Sequence, residues 1–510
     1  MAVDKLIDSA QLDAALTATA DAIRAKTGGS VSIPWNLSNG FQSVIAEIPS
    51  NEDGLVTRGF SQYTNNRVTT IGDFAFYQYS ALQKVSFSAC IAVGANAFAG
   101  CDGLSDVDIP ACTTIGSSAF YGCTSLTNVD FPACTTVGSS AFTGCVSLTN
   151  LSFPVCETLN DTAFGNCTAL TSVTFPACTT IDHHVFYGCS ALSNLSFPAC
   201  ITIGSSAFSG CTALTNLSFP VCETLYNAAF GNCTALTSVT FPACTTIDHH
   251  VFYGCSALTS LDFPVCTTIG SSAFNRCVSL TNLSFPMCSS IDYAAFSGCT
   301  SLSSVSFPAC TTIGDYAFSG CTSLTNLNFP ACTTIGGSAF SGCTSLTDLS
   351  FPVCTTVGGY AFSGCTSLSG VSFPACTTIG GSAFSGCTSL TSVSFPACTI
   401  VNMSAFARCT SLTTVNLPAC TTLSKGAFIS CYTLVSLYLP GSSLCSMTDL
   451  NVFNSTPISN YSASAGRYGS IYVPASMLTE YQTANRWSYF SSRLVGLTDE
   501  ELVTLRGETA

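Results

Sequence analysis

The sequence predicts an α/β repeat solenoid, in which the chain winds into stacked turns, here called rungs, of equal length. The main observation is a period of 22 residues: Cys321 to Gly342 (CTSLTNLNFPACTTIGGSAFSG) returns with few changes from Val68 to about Pro440. The second observation is that apolar residues keep the same place in every copy. Because one unit cannot bury both of its faces, stacked neighbours must share a continuous core.

The first half of each unit predicts a short strand. In the reference unit, Leu324, Leu327 and Phe329 follow the spacing L-x-x-L-x-F, and Cys332 comes three residues later. Strand alternation directs Leu327 and Phe329 inward. Pro330 ends the strand, because it has no amide hydrogen to donate to a ladder. Equivalent strands of successive rungs are expected to form a parallel ladder on one face.

The second half of the unit, Gly336 to Gly342, is too short for more than one turn of helix. We expect a short helical turn on the face opposite the ladder, with Ala339 and Phe340 pointing inward. Gly342 is suited to a left-handed exit. The next rung then begins at Cys343.

These spacings match the leucine-rich-repeat consensus L-x-x-L-x-L-x-x-N/C. The chain most closely resembles the BspA-type leucine-rich repeats of bacterial and phage surface proteins, as in IGDYAFSGCTSL (Ile313 to Leu324) and its copies. The segment FPACTTIG is one residue shorter than the commoner form and carries Cys. The resemblance covers roughly three quarters of the chain and implies a leucine-rich-repeat solenoid with 22-residue rungs.

Composition excludes two classes of partner. Only 8% of residues are charged and the net charge is −14, so the basic stripe that nucleic-acid binding requires is missing. Mean hydropathy is +0.46, yet no run approaches the 18 or so apolar residues of a membrane span. We therefore expect no nucleic-acid partner and no membrane insertion, and assign the hydrophobic residues to the core.

The 33 cysteines form two columns of 16, from Cys90 to Cys420 and from Cys101 to Cys431, each in steps of 22 residues, with Cys445 left over. Parallel Cβ vectors in a stacked ladder make the disulfide dihedral hard to reach in every rung. Free, buried thiols are favoured, with the Cys332 column donating to turn carbonyls; disulfides and metal clusters are the alternatives.

The pattern of residues 1–50 predicts a helical hairpin with one apolar seam. Residues 51–67 are predicted to form a linker or an irregular first turn, and residues 68–440 the solenoid. The seam residues are Leu12, Leu16, Ile23, Phe41, Val44, Ile45 and Ile48. ADAIRAKTGGSVSIPW (Ala20 to Trp35) and the following GFQSVIAEI are similar to a short N-terminal module of tail-associated proteins from phages of gut Firmicutes. This resemblance implies attachment to a virion; a hydrophobic cap on the first rung is the alternative.

Neither histidines nor carboxylates predict a catalytic or metal site. All four histidines lie in a duplicated three-rung block, as the pairs His183–His184 and His249–His250. The pairs are expected to be too far apart to share an ion, and Glu157 and Glu223 too far apart for a glycosidase pair. We expect no enzyme activity, no metal and no cofactor.

Exposed strand positions carry small, polar residues. Larger exposed residues lie on the return segment, whose face varies between rungs and is expected to be convex. The candidate binding residues there are Tyr121, Tyr187, Tyr226, Tyr253, Tyr293, Tyr316 and Tyr360. Beyond Pro440, residues 441–510 predict an α+β capping module. In it, Trp487, Tyr489 and Phe490 cover the last rung, and Thr498 begins a short helix.

The first twenty residues carry Asp4 and Asp8 and no apolar stretch typical of a secretory signal peptide. Since surface adhesins need export and virion proteins leave by host lysis, we expect a phage tail fibre or receptor-binding protein. Its expected partners are tail or baseplate proteins, through residues 1–50, and a host-surface glycan or protein. A bacterial surface adhesin and a spacer without a ligand are the alternatives, and homo-oligomers are left open.

Overall fold

The computed structural model describes residues 61–460 and 468–506, so the hairpin predicted for 1–50 lies outside the described residues. Backbone contacts divide the chain into two compact units, 1–244 and 245–510. In both units the described rungs form a parallel β-solenoid with a 22-residue period, which confirms the predicted fold.

Each rung contains two strands, not one. In the reference rung, Asn326–Asn328 belongs to a long-strand ladder and Thr334–Ile335 to a short-strand ladder. Both pair in parallel with residues 22 positions away, as Thr312 does with Thr334. Since the offset equals the sequence period, each side chain lies beside its equivalent in the next rung.

Unit one has these long strands: Gln62–Thr64, Lys84–Ser86, Asp106–Asp108, Asn128–Asp130, Asn150–Ser152, Ser172–Thr174, Asn194–Ser196, Asn216–Ser218 and Ser238–Thr240. Its short strands are Thr70–Ile71, Ala92–Val93, Thr114–Ile115, Thr136–Val137, Thr158–Leu159, Thr180–Ile181, Thr202–Ile203 and Thr224–Leu225. The long strand at Gln62–Thr64 precedes Val68, inside the segment predicted as a linker or irregular turn.

Unit two has these long strands: Ser260–Asp262, Asn282–Ser284, Ser304–Ser306, Asn326–Asn328, Asp348–Ser350, Gly370–Ser372, Ser392–Ser394, Thr414–Asn416 and Ser436–Tyr438. Its short strands are Thr246–Ile247, Thr268–Ile269, Ser290–Ile291, Thr312–Ile313, Thr334–Ile335, Thr356–Val357, Thr378–Ile379, Ile400–Val401, Thr422–Leu423 and Ser446–Met447. The cap adds strands Ser470–Pro474 and Leu494–Leu497 and helices Leu478–Thr483 and Asp499–Arg506. The described part of this region also contains the 3₁₀ helices Leu450–Phe453, Ala475–Met477 and Trp487–Arg493.

The segment opposite the long ladder, here called the turn segment, is not the predicted helical turn. Its amides alternate between two kinds of partner: Tyr316 N–H donates to Gly337 of the next rung at 2.9 Å, and Ser319 N–H donates back to Tyr316 at 3.0 Å. Tyr316 and Gly320 have positive φ, 59° and 73°, which a helix does not allow. Bonds between rungs therefore override the local helical preference.

Two columns of phenylalanine fill the core. Phe340 of the turn segment stacks face to face on Phe318 and on Phe362, with ring centroids 5.3 Å apart in both pairs. Phe329 and Phe351 of the second column meet it at 6.3 and 6.4 Å. Phe340 is fully buried, and its ring is held on both sides by equivalents of itself.

We expect Phe340→Ala to lower the free energy of unfolding by about 3–5 kcal/mol, because neighbouring rings held by their own rungs cannot collapse into the cavity. Urea unfolding measures the change. Ser323→Ala, at an exposed position of the same region, is the matched control and should cost less than about 0.5 kcal/mol. A loss below 1 kcal/mol for Phe340→Ala would show that the rings do not form the core.

All 33 cysteines are free and buried, as predicted. Cys332 Sγ donates to the carbonyl of Thr334 in its own rung at 3.4 Å, which confirms the predicted role of that column. Cys343 Sγ donates to the carbonyl of Phe318, 25 residues earlier, at 3.1 Å. The second column therefore joins successive rungs, a role that the sequence did not reveal.

The C-terminal cap is attached through Cys445. Its N–H donates to the Tyr481 hydroxyl at 2.9 Å, and its carbonyl accepts from Trp487 Nε1 at 2.5 Å. The predicted capping box is confirmed, since Thr498 N–H donates to Glu501 at 2.8 Å at the start of the last helix. Tyr489 was predicted to cover the last rung, which is wrong: it is 78% exposed.

Candidate binding surface

The turn segments place the seven predicted tyrosines on the surface. In these segments an Ala-Phe or Val-Phe pair is buried in the core, as Val185 and Phe186 are, and most neighbouring residues point outward. The tyrosines occupy four outward positions. Tyr121, Tyr187 and Tyr253 directly follow the buried Phe, and Tyr316 and Tyr360 directly precede the buried Ala. Tyr293 lies two residues before that Ala in its segment, and Tyr226 lies three residues before it. Six of them are 43–57% exposed, and Tyr253 is half-buried.

The structure brings two of these side chains together: the rings of Tyr293 and Tyr316 lie 5.5 Å apart, from neighbouring rungs. Tyr187 and Tyr253 instead pack edge-on against His184 and His250 of their own turn segments, at 6.0 and 5.9 Å. The predicted tyrosines are therefore distributed over several small surfaces.

The other histidine of each pair has a structural contact that the sequence did not indicate. His183 Nδ1 accepts from the amide of Ser205 at 2.8 Å, and His249 Nδ1 accepts from that of Ser271 at 2.9 Å. Asp73 makes the same contact with Ala95 at 2.7 Å. Over residues 61–460 and 468–506, no three His, Cys, Asp or Glu side chains are grouped in a way that could hold a metal ion.

Some exposed aromatic residues have an unfavourable backbone conformation. Tyr316 and Tyr360 have φ of 59° and 57°, and Phe74 has 55°, in the left-handed region that favours glycine. This conformation costs roughly 1–2 kcal/mol for a residue with a Cβ. It is retained because each amide bonds the next rung, as Tyr360 N–H does with Gly381 at 2.9 Å. Bulky residues at such positions are a reason to look for a surface function.

We expect Tyr360→Gly to raise the free energy of unfolding by about 1 kcal/mol, because glycine adopts positive φ without a Cβ clash. Tyr293→Gly is the matched control. It is also exposed, but its φ is not positive, so glycine should lower stability by about 0.5–1 kcal/mol. Thermal melting of both variants measures the difference, and equal losses would show that left-handed strain is not significant here.

The long-strand face differs from the tyrosine-bearing face. Most of its outward residues are small and polar, such as Asn326 and Ser392, and the glycine at 370 is half-exposed. Tyr438 and Tyr472 are exceptions, and their rings stack with centroids 4.5 Å apart. Lys84 forms an ion pair with Asp106 at 2.5 Å near its start. Among the described helices, none has the length and apolar character needed to cross a bilayer.

One residue that the sequence analysis missed is Tyr77, which is 41% exposed. It lies with Tyr121 on the wall of a cavity of about 320 Å³, whose lining residues are Tyr77, Gln78, Asn96, Ala99, Gly100, Ser118 and Tyr121. The signal was present in the sequence: Tyr77 precedes Tyr121 by two periods, with the small Ala99 between them.

The stacked rungs, paired strands and buried Leu, Phe and Cys columns define a leucine-rich-repeat solenoid. The family model described as the BspA type leucine-rich repeat region matches residues 61–170, 135–259, 223–347, 267–375 and 355–466. These matches cover most of the chain, and the protein belongs to the BspA-type leucine-rich-repeat family.

Solved structures with a similar chain include a leucine-rich repeat protein from Bacteroides ovatus, with 27% identity and a TM-score of 0.43 over 66% of this chain and 78% of that one. A leucine rich cell surface protein from Faecalibacterium prausnitzii has 23% identity and a TM-score of 0.33, over 66% and 87%. A leucine-rich repeat protein from T. pallidum has 22% identity and a TM-score of 0.27, over 43% and 83%. No curated protein matches the chain.

Proposed function

We propose that the protein is a non-enzymatic structural protein of a phage particle, a tail fibre or receptor-binding protein. In this proposal residues 1–50 attach it to tail or baseplate proteins, and the solenoid contacts a glycan or protein on the host surface. The proposal combines the N-terminal sequence resemblance with the character of the exposed surface.

The observation that carries the proposal is the contrast between the interior and the surface. Burial raises the pKa of the Cys332 thiol to about 12, so this potential nucleophile stays protonated in the core. The surface presents hydroxyls, amides and exposed tyrosines such as Tyr121 and Tyr360 on backbone that is hydrogen-bonded from rung to rung. Such a surface suits contact with another molecule better than catalysis.

A bacterial surface adhesin is the second candidate, and membership of the BspA-type family favours it. Both candidates recognise a surface through the solenoid. They differ in where the protein resides, on a virion or on the cell that made it, and a spacer would bind no surface at all.

Immunogold electron microscopy separates the candidates. Antibodies raised against the full chain are applied to phage particles purified from a producing culture and to intact cells of the same culture. We expect gold on the tails of the particles and purified full chain bound to host cells. Gold on intact cells with unlabelled particles would replace this proposal by the adhesin. Labelled tails without any binding to cells would indicate a spacer.

A further inference from the structure

The strongest unassigned feature is the cavity near the start of the described solenoid, here called the Tyr77–Tyr121 slot. Both tyrosines directly follow the inward Phe of their turn segments, and the intervening rung has Ala99 at that position. The two rings are 41% and 50% exposed, whereas Ala99 is only 3% exposed and forms the floor.

Rung spacing sets the width of the slot. Neighbouring parallel strands lie about 4.8 Å apart, so side chains two rungs apart start about 9.6 Å apart. A flat ring midway between the tyrosines would lie about 4.8 Å from each, which is within the range for stacked rings. The cavity of about 320 Å³ is at the small end for a ligand site and suits one or two rings.

The remaining wall is polar and uncharged. Asn96, Ser118 and Gln78 line the cavity, and Gln78 Nε2 donates to the Tyr77 hydroxyl at 3.3 Å. Gly100, with φ of 72°, keeps the floor open, because a Cβ there would lie 3.1 Å from Gln78 Cγ. A ligand in this slot meets amide and hydroxyl groups beside two tyrosine side chains, and the lining residues include no charged side chain.

The frame of the slot is held by backbone bonds between its three rungs. Gln78 N–H donates to Ala99 at 2.7 Å, and Gly100 N–H donates to Tyr121 at 2.7 Å. Phe74, at positive φ, packs edge-on against Tyr77 with ring centroids 5.5 Å apart. The tyrosines are therefore presented on a preorganised support, which reduces the ordering cost of binding.

We propose that the Tyr77–Tyr121 slot binds an uncharged pyranose ring of a surface glycan. The C–H faces of the sugar stack on the tyrosines, and its hydroxyls bond to Asn96, Ser118 and Gln78. An aromatic side chain would fill the same space but would make less use of the polar groups of the wall. A charged ligand would find no opposite charge. The biological source of the sugar, though not the binding itself, rests on the proposed function.

Titration of the full chain with methyl β-glucoside, methyl β-galactoside, methyl N-acetyl-β-glucosaminide and their oligosaccharides, followed by saturation-transfer NMR and calorimetry, tests the slot. Tyr77→Ala and Tyr121→Ala should each weaken binding about tenfold or more. Ala99→Tyr should abolish it by filling the slot; the position accepts tyrosine in other rungs, so the fold is expected to persist. Ser297→Tyr places the same residue at the equivalent position of another rung and should leave binding unchanged.

The slot is not a sugar site if none of these pyranosides binds, if binding persists in Ala99→Tyr, or if only tyrosine- or tryptophan-containing peptides bind. Circular dichroism checks that each variant is folded. Cell binding by the full chain separates this proposal from the preceding one. Cell binding that survives Ala99→Tyr would overturn the slot alone, whereas sugar binding without binding to any cell would keep the slot and overturn the recognition role.

Discussion

As the pH rises above about 9, the protein should lose stability steeply and then unfold cooperatively. Burial raises the pKa of thiols such as Cys101, Cys134 and Cys332 from an ordinary value of 9.0 to about 12. Above pH 9 the unfolded chain loses thiol protons that the folded chain keeps. The contribution of these thiols to stability is therefore fully present below pH 9 and is lost progressively as the pH rises towards 12.

The expected effect is large because the thiols are numerous. Each one lowers the free energy of unfolding by about 1.4 kcal/mol per pH unit above 9. Ten have a pKa of about 12: Cys101, Cys112, Cys134, Cys145, Cys200, Cys299, Cys332, Cys354, Cys365 and Cys398. Together they lower it by about 14 kcal/mol per unit, comparable to the whole stability of an ordinary domain.

Urea unfolding in reducing buffer at several pH values between about 8 and 10.5 measures this slope. Replacing Cys332, Cys354 and Cys398 by serine, which donates the same hydrogen bond without titrating in this range, should reduce the slope by about 4 kcal/mol per pH unit. The unfolded protein should titrate 33 free thiols without prior reduction. A stability that stays flat from pH 8 to about 10.5 would contradict buried, protonated thiols.

Deletion of residues 1–50 should leave a cooperatively melting solenoid that no longer joins virions but still binds host cells. The reason is that the rungs stabilise one another through neighbour contacts, whereas the predicted hairpin has an apolar seam of its own. Leu16→Glu combined with Ile45→Lys should have the same effect, since burying unpaired charge in that seam costs several kcal/mol.

Mass spectrometry of purified particles measures incorporation, and thermal melting measures the solenoid. Ser9→Ala, outside the apolar seam in sequence, is the control and should be incorporated normally. Normal incorporation of the deletion variant would remove the main support for attachment through this segment. Loss of cooperative melting would instead indicate that residues 1–50 serve as a cap on the first rung.

The repeat itself made most of the fold predictable. Burial of Phe340 and Cys343 follows from the period alone, because a position that is apolar in every rung must face the shared core. The turn segment was not predictable in the same way. Locally, GGSAFSG is compatible with a helical turn, and only the bonds from Tyr316 and its equivalents to the next rung select left-handed residues instead.

The candidate site was harder to predict than the fold, because it depends on which side chains are neighbours across rungs. Tyr77 belongs to a rung that departs from the consensus, with Tyr79 in place of the usual cysteine, so the repeat pattern does not single it out. The seven predicted tyrosines lie at different positions of the turn segment, and the repeat pattern alone does not show which of them have aromatic neighbours. Only the structure shows that Tyr77 and Tyr121 line an open cavity together with Ala99.

The in-register offset of 22 residues has a genetic consequence. Since Thr312 pairs with Thr334 as Thr334 pairs with Thr356, inserting or removing a whole number of 22-codon segments restores the same contacts at the junction. Unequal recombination between near-identical repeats therefore yields folded products. An insertion of another length has to be accommodated outside the paired strands, as it is between Thr422 and Ser446, which pair at an offset of 24 residues. The copy of Val155 to Cys189 at Val221 to Cys255 records such an event. The number of rungs and the set of exposed residues can thus change between lineages without point mutations.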